Sequence, residues 1–349
     1  MIIKILASRR SAATRVLGVV QGVALLALLV MSLGRPEPAG ADEPRPFPRF
    51  YKTATIFDRA IAAERTHPPI KMRVTGLTVP HHLLAADLMA RGFRALEGQS
   101  YDRIILLGPD HFRKLRAPFA TTRRGFRTAL GPVETDQAAA SALLAPALGS
   151  LVEESELFET EHAFRALLPF VRHTFPGVPV VALAFARHAF HRHWDALLPT
   201  LEGLTTSGTL ILQSTDYSHF LKPHEAAVRD QETLNLIAAG DADAITRLHQ
   251  PFHLDSVPGE YLQTRLQQRR FAAQPVVIAN ANSAIYSKRA AVSTTSYIVK
   301  IYSPHAATQT LPRAWPASQL FYVAGDTLLG RFMADKLADP AARARLADR

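Results

Sequence analysis

Short apolar runs closed by turn residues alternate along this chain with stretches whose apolar positions recur every three or four residues. The run 103–107 ends in four consecutive apolar residues and is followed by Gly108-Pro109. That pattern predicts a buried strand of a parallel sheet closed by a turn. The turn would deliver Asp110 and His111 to the strand's carboxyl end, where open α/β sheets keep their ligand sites. The same grammar predicts a strand at 72–79, then Pro80-His81-His82, then a helix from His82 to about Leu96 with Leu83, Leu84, Leu88 and Met89 on one face. Further strands are expected at 178–185, 209–213, 275–279 and 295–302, with a short β region between 117 and 132. Helices are expected at 136–148, 161–174, 191–202, 224–239, 241–249 and 257–269. This alternation predicts an α/β fold with a largely parallel central sheet flanked by helices.

The ends of the chain follow a different pattern. Lys4, Arg9, Arg10 and Arg15 precede or open an apolar run at 16–33, and Ala39-Gly40-Ala41 follows before Asp42. A basic start, an apolar core and a small-x-small site predict a signal peptide cleaved after Ala41, with export to the periplasm. The alternative is an uncleaved anchor, since the run is near the lower limit for a bilayer span. Residues 42–69 read as a tether, Pro-rich at 42–51. The main domain is expected at 70–304, and 305–349 as a linker with a fresh strand-turn-helix start.

Composition narrows the chemistry. Among 349 residues there is no cysteine, which excludes disulfides, thiolate metal ligands and a cysteine nucleophile. The net charge is +10; the first 41 residues carry about +4 of it, and the rest is scattered arginine. Without interleaved aromatics or a known binding module, those arginines predict a solvated face and no nucleic-acid partner. Three strand ends present histidines instead: His81 with His82, Asp110 with His111, and Asp216 with His219. Glu161-His162 adds a polar pair at a helix start, where the carboxylate also suits the helix amino terminus. A lone histidine after a strand is more often structural than a ligand, but imidazoles and carboxylates converging from rigid strand ends suit a divalent metal.

The ordered motifs Val79-Pro-His81, Leu107-Gly-Pro-Asp-His111, Phe126-Arg-Thr-Ala-Leu-Gly131, Glu159-Thr-Glu-His162, Ser214-Thr-Asp-Tyr-Ser-His219 and Thr294-Thr-Ser-Tyr297 closely resemble the Memo family over about residues 70–302. Its prokaryotic members are called AmmeMemoRadiSam system protein B. The resemblance implies the fold of the LigB-type extradiol dioxygenases, whose non-haem iron is held by two histidines and a carboxylate. It makes His81 and His111 metal-ligand candidates, with Asp110, Glu161 and His162 supporting them. Asp216 would orient and His219 would move protons. The family's third ligand is a cysteine four residues before a proline; with Pro258 as that proline, Leu254 takes its place, and His253 or Asp255 is expected to substitute. A second departure puts Arg165 and Leu167 where the family has Glu and His. Two functions stay open: an exported, metal-dependent redox enzyme using iron, copper or zinc on a small molecule or peptide, and a non-catalytic binding protein with a degenerate site. Val323-Ala-Gly-Asp-Thr-Leu-Leu-Gly-Arg331 resembles the opening strand of CapA-type capsule-synthesis proteins.

Overall fold

The computed structural model describes residues 44–287, 292–306 and 314. The expectations at 1–41 and 320–349 lie outside the described residues. The described residues from Pro46 onward belong to one compact unit.

Its strands are β1 (Gly76–Val79), β2 (Arg103–Pro109), β3 (Phe119–Thr121), β4 (Phe126–Thr128), β5 (Gly131–Val133), β6 (Val152–Glu154), β7 (Val180–Phe185), β8 (Thr209–Ser214), β9 (His219–Leu221), β10 (Gln274–Asn282) and β11 (Thr294–Ser303). The main sheet runs β10-β11-β1-β8-β2-β7-β3-β6, with β9 paired to β11; β4 and β5 form a separate ribbon. The four central strands β1, β8, β2 and β7 are mutually parallel. Strands β11 and β3 flank them antiparallel. The carboxyl ends of β1, β8, β2 and β7 therefore open on one edge, the edge that parallel α/β sheets use for ligands.

Alternate residues of the central strands feed two separate cores. Ile104, Leu106, Ala182, Ala184, Leu210 and Leu212 enter one. Ile105, Leu107, Val181, Leu183, Phe185 and Ile211 enter the other. A strand buried on both faces has no polar alternation to show, hence the unbroken apolar runs. One face is covered by α1 (Thr55–Glu64), α2 (Ala86–Ala95), the one-turn α4 (His162–Arg165) and α5 (Leu168–Thr174); the other by α3 (Gln137–Leu143), α6 (His191–Leu204), α7 (Pro223–Ala239), the one-turn α8 (Ala242–Ile245) and α9 (Val257–Leu266). Helix α2 lies so close to β1 that a Cβ on Gly92 would sit 2.5 Å from Val79 Cγ1.

Several expectations shift for local reasons. Strand β1 begins only at Gly76, because the Val74 N–H is taken by Gln99 Oε1 at 2.9 Å. Strand β2 continues through Gly108-Pro109, opposite Ala184 and Phe185. The turn is made one residue later by Asp110, whose carboxylate accepts the N–H groups of Phe112 (3.1 Å) and Leu115 (3.0 Å), an Asx-type turn. The helix expected at 161–174 divides into α4 (His162–Arg165) and α5. Pro169 has no N–H to continue the ladder and fits only a first turn.

The stretch expected as a tether belongs largely to the folded body. Phe47 is fully buried and pairs with Phe126 across an isolated bridge. Phe57 on α1 is fully buried, with its ring 5.4 Å edge-on from that of Phe170. Among the described residues no helix is long and apolar enough to cross a membrane.

Candidate metal centre

Three loops leave the carboxyl edge of the parallel strands and interlock. After β1, the His81 N–H donates to Asp216 Oδ1 at 3.0 Å, tying that loop to the one after β8. The β8 loop is in turn zipped to the segment before α9: Tyr217 pairs with Leu254, the Asp255 N–H reaches Asp216 O at 3.1 Å, and the Asp216 N–H reaches Asp255 Oδ2 at 3.2 Å. Thr215 Oγ1 donates to Asp255 Oδ1 at 2.5 Å. After β2, the His111 N–H donates to Glu161 Oε2 at 2.9 Å, and Glu161 also caps α4 by accepting the Ala163 N–H at 3.0 Å.

This framework brings together His81, His111, His162, Asp216 and Asp255. One donor atom from each of His81, His111 and His162 lies within 4.8 Å of the others, and the same holds for His81, Asp216 and Asp255. Asp255 Oδ2 stands 3.1 Å from His81 Nε2 and 3.4 Å from His111 Nε2. Asp216 Oδ2 is farther, 3.7 Å from His81 Nε2. The imidazole rings of His111 and His162 are 4.4 Å apart, and that of His81 is 4.8 and 5.2 Å from them.

The other ring nitrogens are already committed. Ser214 Oγ gives its hydrogen to Ala163 O at 2.5 Å, so at 3.0 Å it can only accept from His81 Nδ1. Glu161 Oε1 accepts from His111 Nδ1 at 2.9 Å and lies 3.2 Å from His162 Nδ1. The network thus assigns the hydrogens to Nδ1 and leaves His81 Nε2 and His111 Nε2 turned on one carboxylate. Orienting partners of this kind are what metal-binding histidines require.

The electrostatics have the same sense. Burial lowers the pKa of His111, but hydrogen bonds to Asp255 and Glu161 outweigh it and push it up to about 10. Burial likewise works against His81, and the charges of Asp216 and Asp255 still raise it. Burial would raise Asp255 and Glu161; the imidazoles beside them hold both carboxyls below their ordinary value instead. Buried anionic oxygens facing imidazole nitrogens will take either protons or a cation, and metal binding releases those protons. The donor set therefore fits a divalent ion with nitrogen and oxygen preference, and two histidines with one carboxylate is a set used by non-haem iron.

His253 is turned away from the cluster: its Nε2 is 2.8 Å from Glu232 Oε2 and its Nδ1 accepts the His249 N–H. Leu254 is fully buried in the core. Asp255, next in sequence, is the residue at the cluster. Asp110 is spent on its own turn. Arg165 hydrogen-bonds the carbonyls of Pro48 and Arg127, and Leu167 is buried in the core. His82 leaves the cluster and pairs its Nδ1 with Tyr297 Oη at 2.8 Å. His219 lines a pocket of about 220 Å³ together with His111 and Asp255, and among the described residues its buried Nδ1 has no hydrogen-bond partner.

The loop from Asp216 to His219 is anchored from below. Ser218 Oγ lies 2.6 Å from Asp230 Oδ1 and 3.0 Å from Ser296 Oγ, and Asn282 Nδ2 donates to Ser296 Oγ at 3.1 Å. Asp230 is fully buried, and among the described residues its Oδ2 has no partner. Burial pushes its carboxyl up to about 7 against the hydrogen bonds from Ser218 and Ser296. A carboxyl raised in the folded state contributes stability below its unfolded pKa and loses it as pH rises to the folded value. Asp230→Asn should therefore stabilise the chain relative to wild type by about 2–3 kcal/mol more at pH 8 than at pH 5, as read by denaturant unfolding at the two pH values.

Comparison with known proteins agrees with the motifs at this edge. A family model described as Memo-like protein matches residues 54–260. The MEMO1 family protein MK0963 of Methanopyrus kandleri is 26% identical over 173 residues, covering 48% of this chain and 60% of that protein. A MEMO1 family protein of Pyrobaculum arsenaticum is 26% identical over 171 residues, covering 47% of this chain and 60% of its own length. The chain thus spans about three fifths of these relatives. Among solved structures, the uncharacterized protein JW3007 from Escherichia coli K12 aligns over 66% of this chain and all of its own, with a TM-score of 0.39 and 12% identity. The matched stretch takes in β1, β2, β7 and β8, their loops, and every residue of the His81–His111–Asp255 cluster, and on that match the chain belongs to the Memo-like protein family.

Proposed function

We propose that the chain is an exported metalloprotein that holds one divalent ion through His81, His111 and Asp255, beside His162, and acts on a small molecule bound in front of them. The observation that carries this reading is the convergence of two imidazole Nε2 atoms on Asp255 Oδ2, with both Nδ1 atoms held by acceptors. An iron, copper or zinc ion there would supply Lewis acidity, and iron or copper one-electron chemistry as well. Glu161 orients His111 and His162, and Asp216 positions His81 through its backbone. His219 has an unspent buried nitrogen on the pocket wall, which suits it to take or give a proton. The competing reading, a binding protein with a degenerate site, rests on the absence of the family's cysteine and on two further departures, Arg165 and Leu167. Both are engaged in the body of the fold away from the cluster, so they do not weaken the donor set.

Elemental analysis of purified protein should find about one iron, copper or zinc ion per chain. A metal-free chain that resists reconstitution would sink the reading. Export is supported by the basic start, the apolar run at 16–33 and Ala39-Gly40-Ala41. Amino-terminal sequencing should then find a mature chain beginning at Asp42; an intact Met1 on membrane-bound protein would favour the anchor instead.

A further inference from the structure

The pocket in front of the cluster carries charge that the metal reading does not use. It is lined by Arg113 and Arg187 as well as by Asp110, His111, His219 and Asp255. Among the described residues neither arginine has a hydrogen-bonding, ionic or ring partner. The acidic residues on the wall are spent elsewhere, Asp110 on the N–H groups of its own turn and Asp255 on His81 and His111. Two guanidinium groups left without anions beside a cavity are an anion-recognition device, since their planar forks match a carboxylate or phosphate in two-point contact.

The backbone points to the same place. Three non-glycine residues among those described have positive φ, and two of them line this pocket: Arg113 at +53° and Phe220 at +62°. Side chains with a Cβ are uncommon in that region, and such strain collects at ligand clamps. Phe220 is also 68% exposed, an apolar ring presented to solvent at the rim beside His219, while Phe185, Pro109 and Pro251 supply apolar wall. At about 220 Å³ the cavity is smaller than the roughly 300–1,000 Å³ typical of drug-sized ligands, so the occupant is small.

We infer that this pocket selects a small molecule carrying a carboxylate or phosphate on an apolar body, the anion held by Arg113 and Arg187 and the body by Phe220 and Phe185. The inference deepens the proposed function and rests on it for where the reacting atoms would lie. Anion recognition itself uses only this chain's side chains.

The test is calorimetric titration of the purified chain, metal-depleted and zinc-loaded, with benzoate, phenyl phosphate, inorganic phosphate and neutral benzyl alcohol. Benzoate or phenyl phosphate should bind about tenfold or more tightly than benzyl alcohol, and the tighter of the two names the anion. Arg113→Met and Arg187→Met should each weaken that binding by about tenfold, with Arg113→Lys recovering part of it. Phe220→Ala should weaken phenyl phosphate but not inorganic phosphate. Because both arginines are exposed, unchanged thermal unfolding of the variants will show that the fold is intact. Equal binding of the neutral analogue, affinity untouched by both arginine variants, or no binding of either anion to a chain that holds zinc would overturn the inference. Arginine-dependent anion binding by a chain that takes up no metal would support it and remove the metal reading instead.

Discussion

Asp255→Asn is expected to lower metal affinity by more than about 100-fold, beyond the 10- to 100-fold typical of losing an orienting partner. Asp255 Oδ2 is the atom that His81 Nε2 and His111 Nε2 share. An amide can keep the Thr215 hydrogen bond to Oδ1, but it puts either a neutral oxygen or a donating NH₂ where the anionic oxygen stood. The size and shape of the side chain are preserved, so the fold should survive and the loss should be one of ligand charge. His253→Ala is the matched control: its imidazole is engaged with Glu232, and metal affinity should stay within a few-fold of wild type. Competition titration against a chromophoric chelator reads both. The opposite ranking, with His253 essential and Asp255 dispensable, would mean that the loop before α9 is arranged differently in the loaded protein.

Lys300→Met should cost about 3–5 kcal/mol of folding stability, the range for leaving one partner of a buried ion pair alone. Lys300 on β11 and Glu260 on α9 are both fully buried, with Lys300 Nζ 2.8 Å from Glu260 Oε2 and 2.9 Å from Tyr217 Oη. Burial pulls the lysine below its ordinary pKa even with Glu260 beside it. Among the described residues Glu260 Oε1 has no partner, so removing the ammonium leaves a buried carboxylate between the sheet and α9 with only the neutral hydrogen bonds of Tyr217 Oη and Gln213 Nε2, each 3.2 Å from Oε2. Burying a charge alone costs far more than a pair of apolar groups. The double variant Lys300→Met/Glu260→Leu should therefore recover most of the loss. Denaturant midpoints of the two variants decide it, and a single-variant loss below about 1 kcal/mol would show that water reaches the pair. The pair also steadies Tyr217, the neighbour of Asp216, so core stability and site geometry meet in this network.

Much of the fold was legible because doubly buried strands announce themselves. The runs at β2, β7 and β8 carry apolar residues on both faces, and no helical period competes with them. What the pattern missed was set by single hydrogen bonds or by proline: Gln99 shortening β1, Asp110 delaying the turn after β2, and Pro169 dividing α4 from α5. The stretch before α2 was read by its prolines as a tether, yet Phe47 and Phe57 are core residues. Two bulky aromatics outweigh local chain stiffness once they find a groove.

The site was legible in part. His81 and His111 follow strands, and a strand fixes where its last residues go. The choice between His253 and Asp255 was not readable, because they lie in an irregular loop where no period assigns a direction. The hydrogen bonds that hold Asp255 to Thr215 and Asp216, and His253 to Glu232, set which side chain turns inward. His162 is expected beside Glu161 as a supporting residue, and Glu161 also reads as a helix cap. The cap is real, but the same carboxylate also holds two imidazoles, a contact made across 50 residues. Arg113 belongs to the basic cluster Arg113-Lys114-Arg116, which the sequence assigns to a solvated face, and Arg187 carries no signal among the scattered arginines.

The most direct test of the central claim is anomalous diffraction from crystals of the metal-loaded protein, collected on either side of the metal's absorption edge. One strong peak per chain is expected, bounded by His81 Nε2, His111 Nε2 and Asp255 Oδ2, with the pocket of Arg113 and Arg187 open beside it. A peak on His249, His253 and Glu232 instead, or no ordered peak in a chain that analyses as metal-loaded, would contradict it.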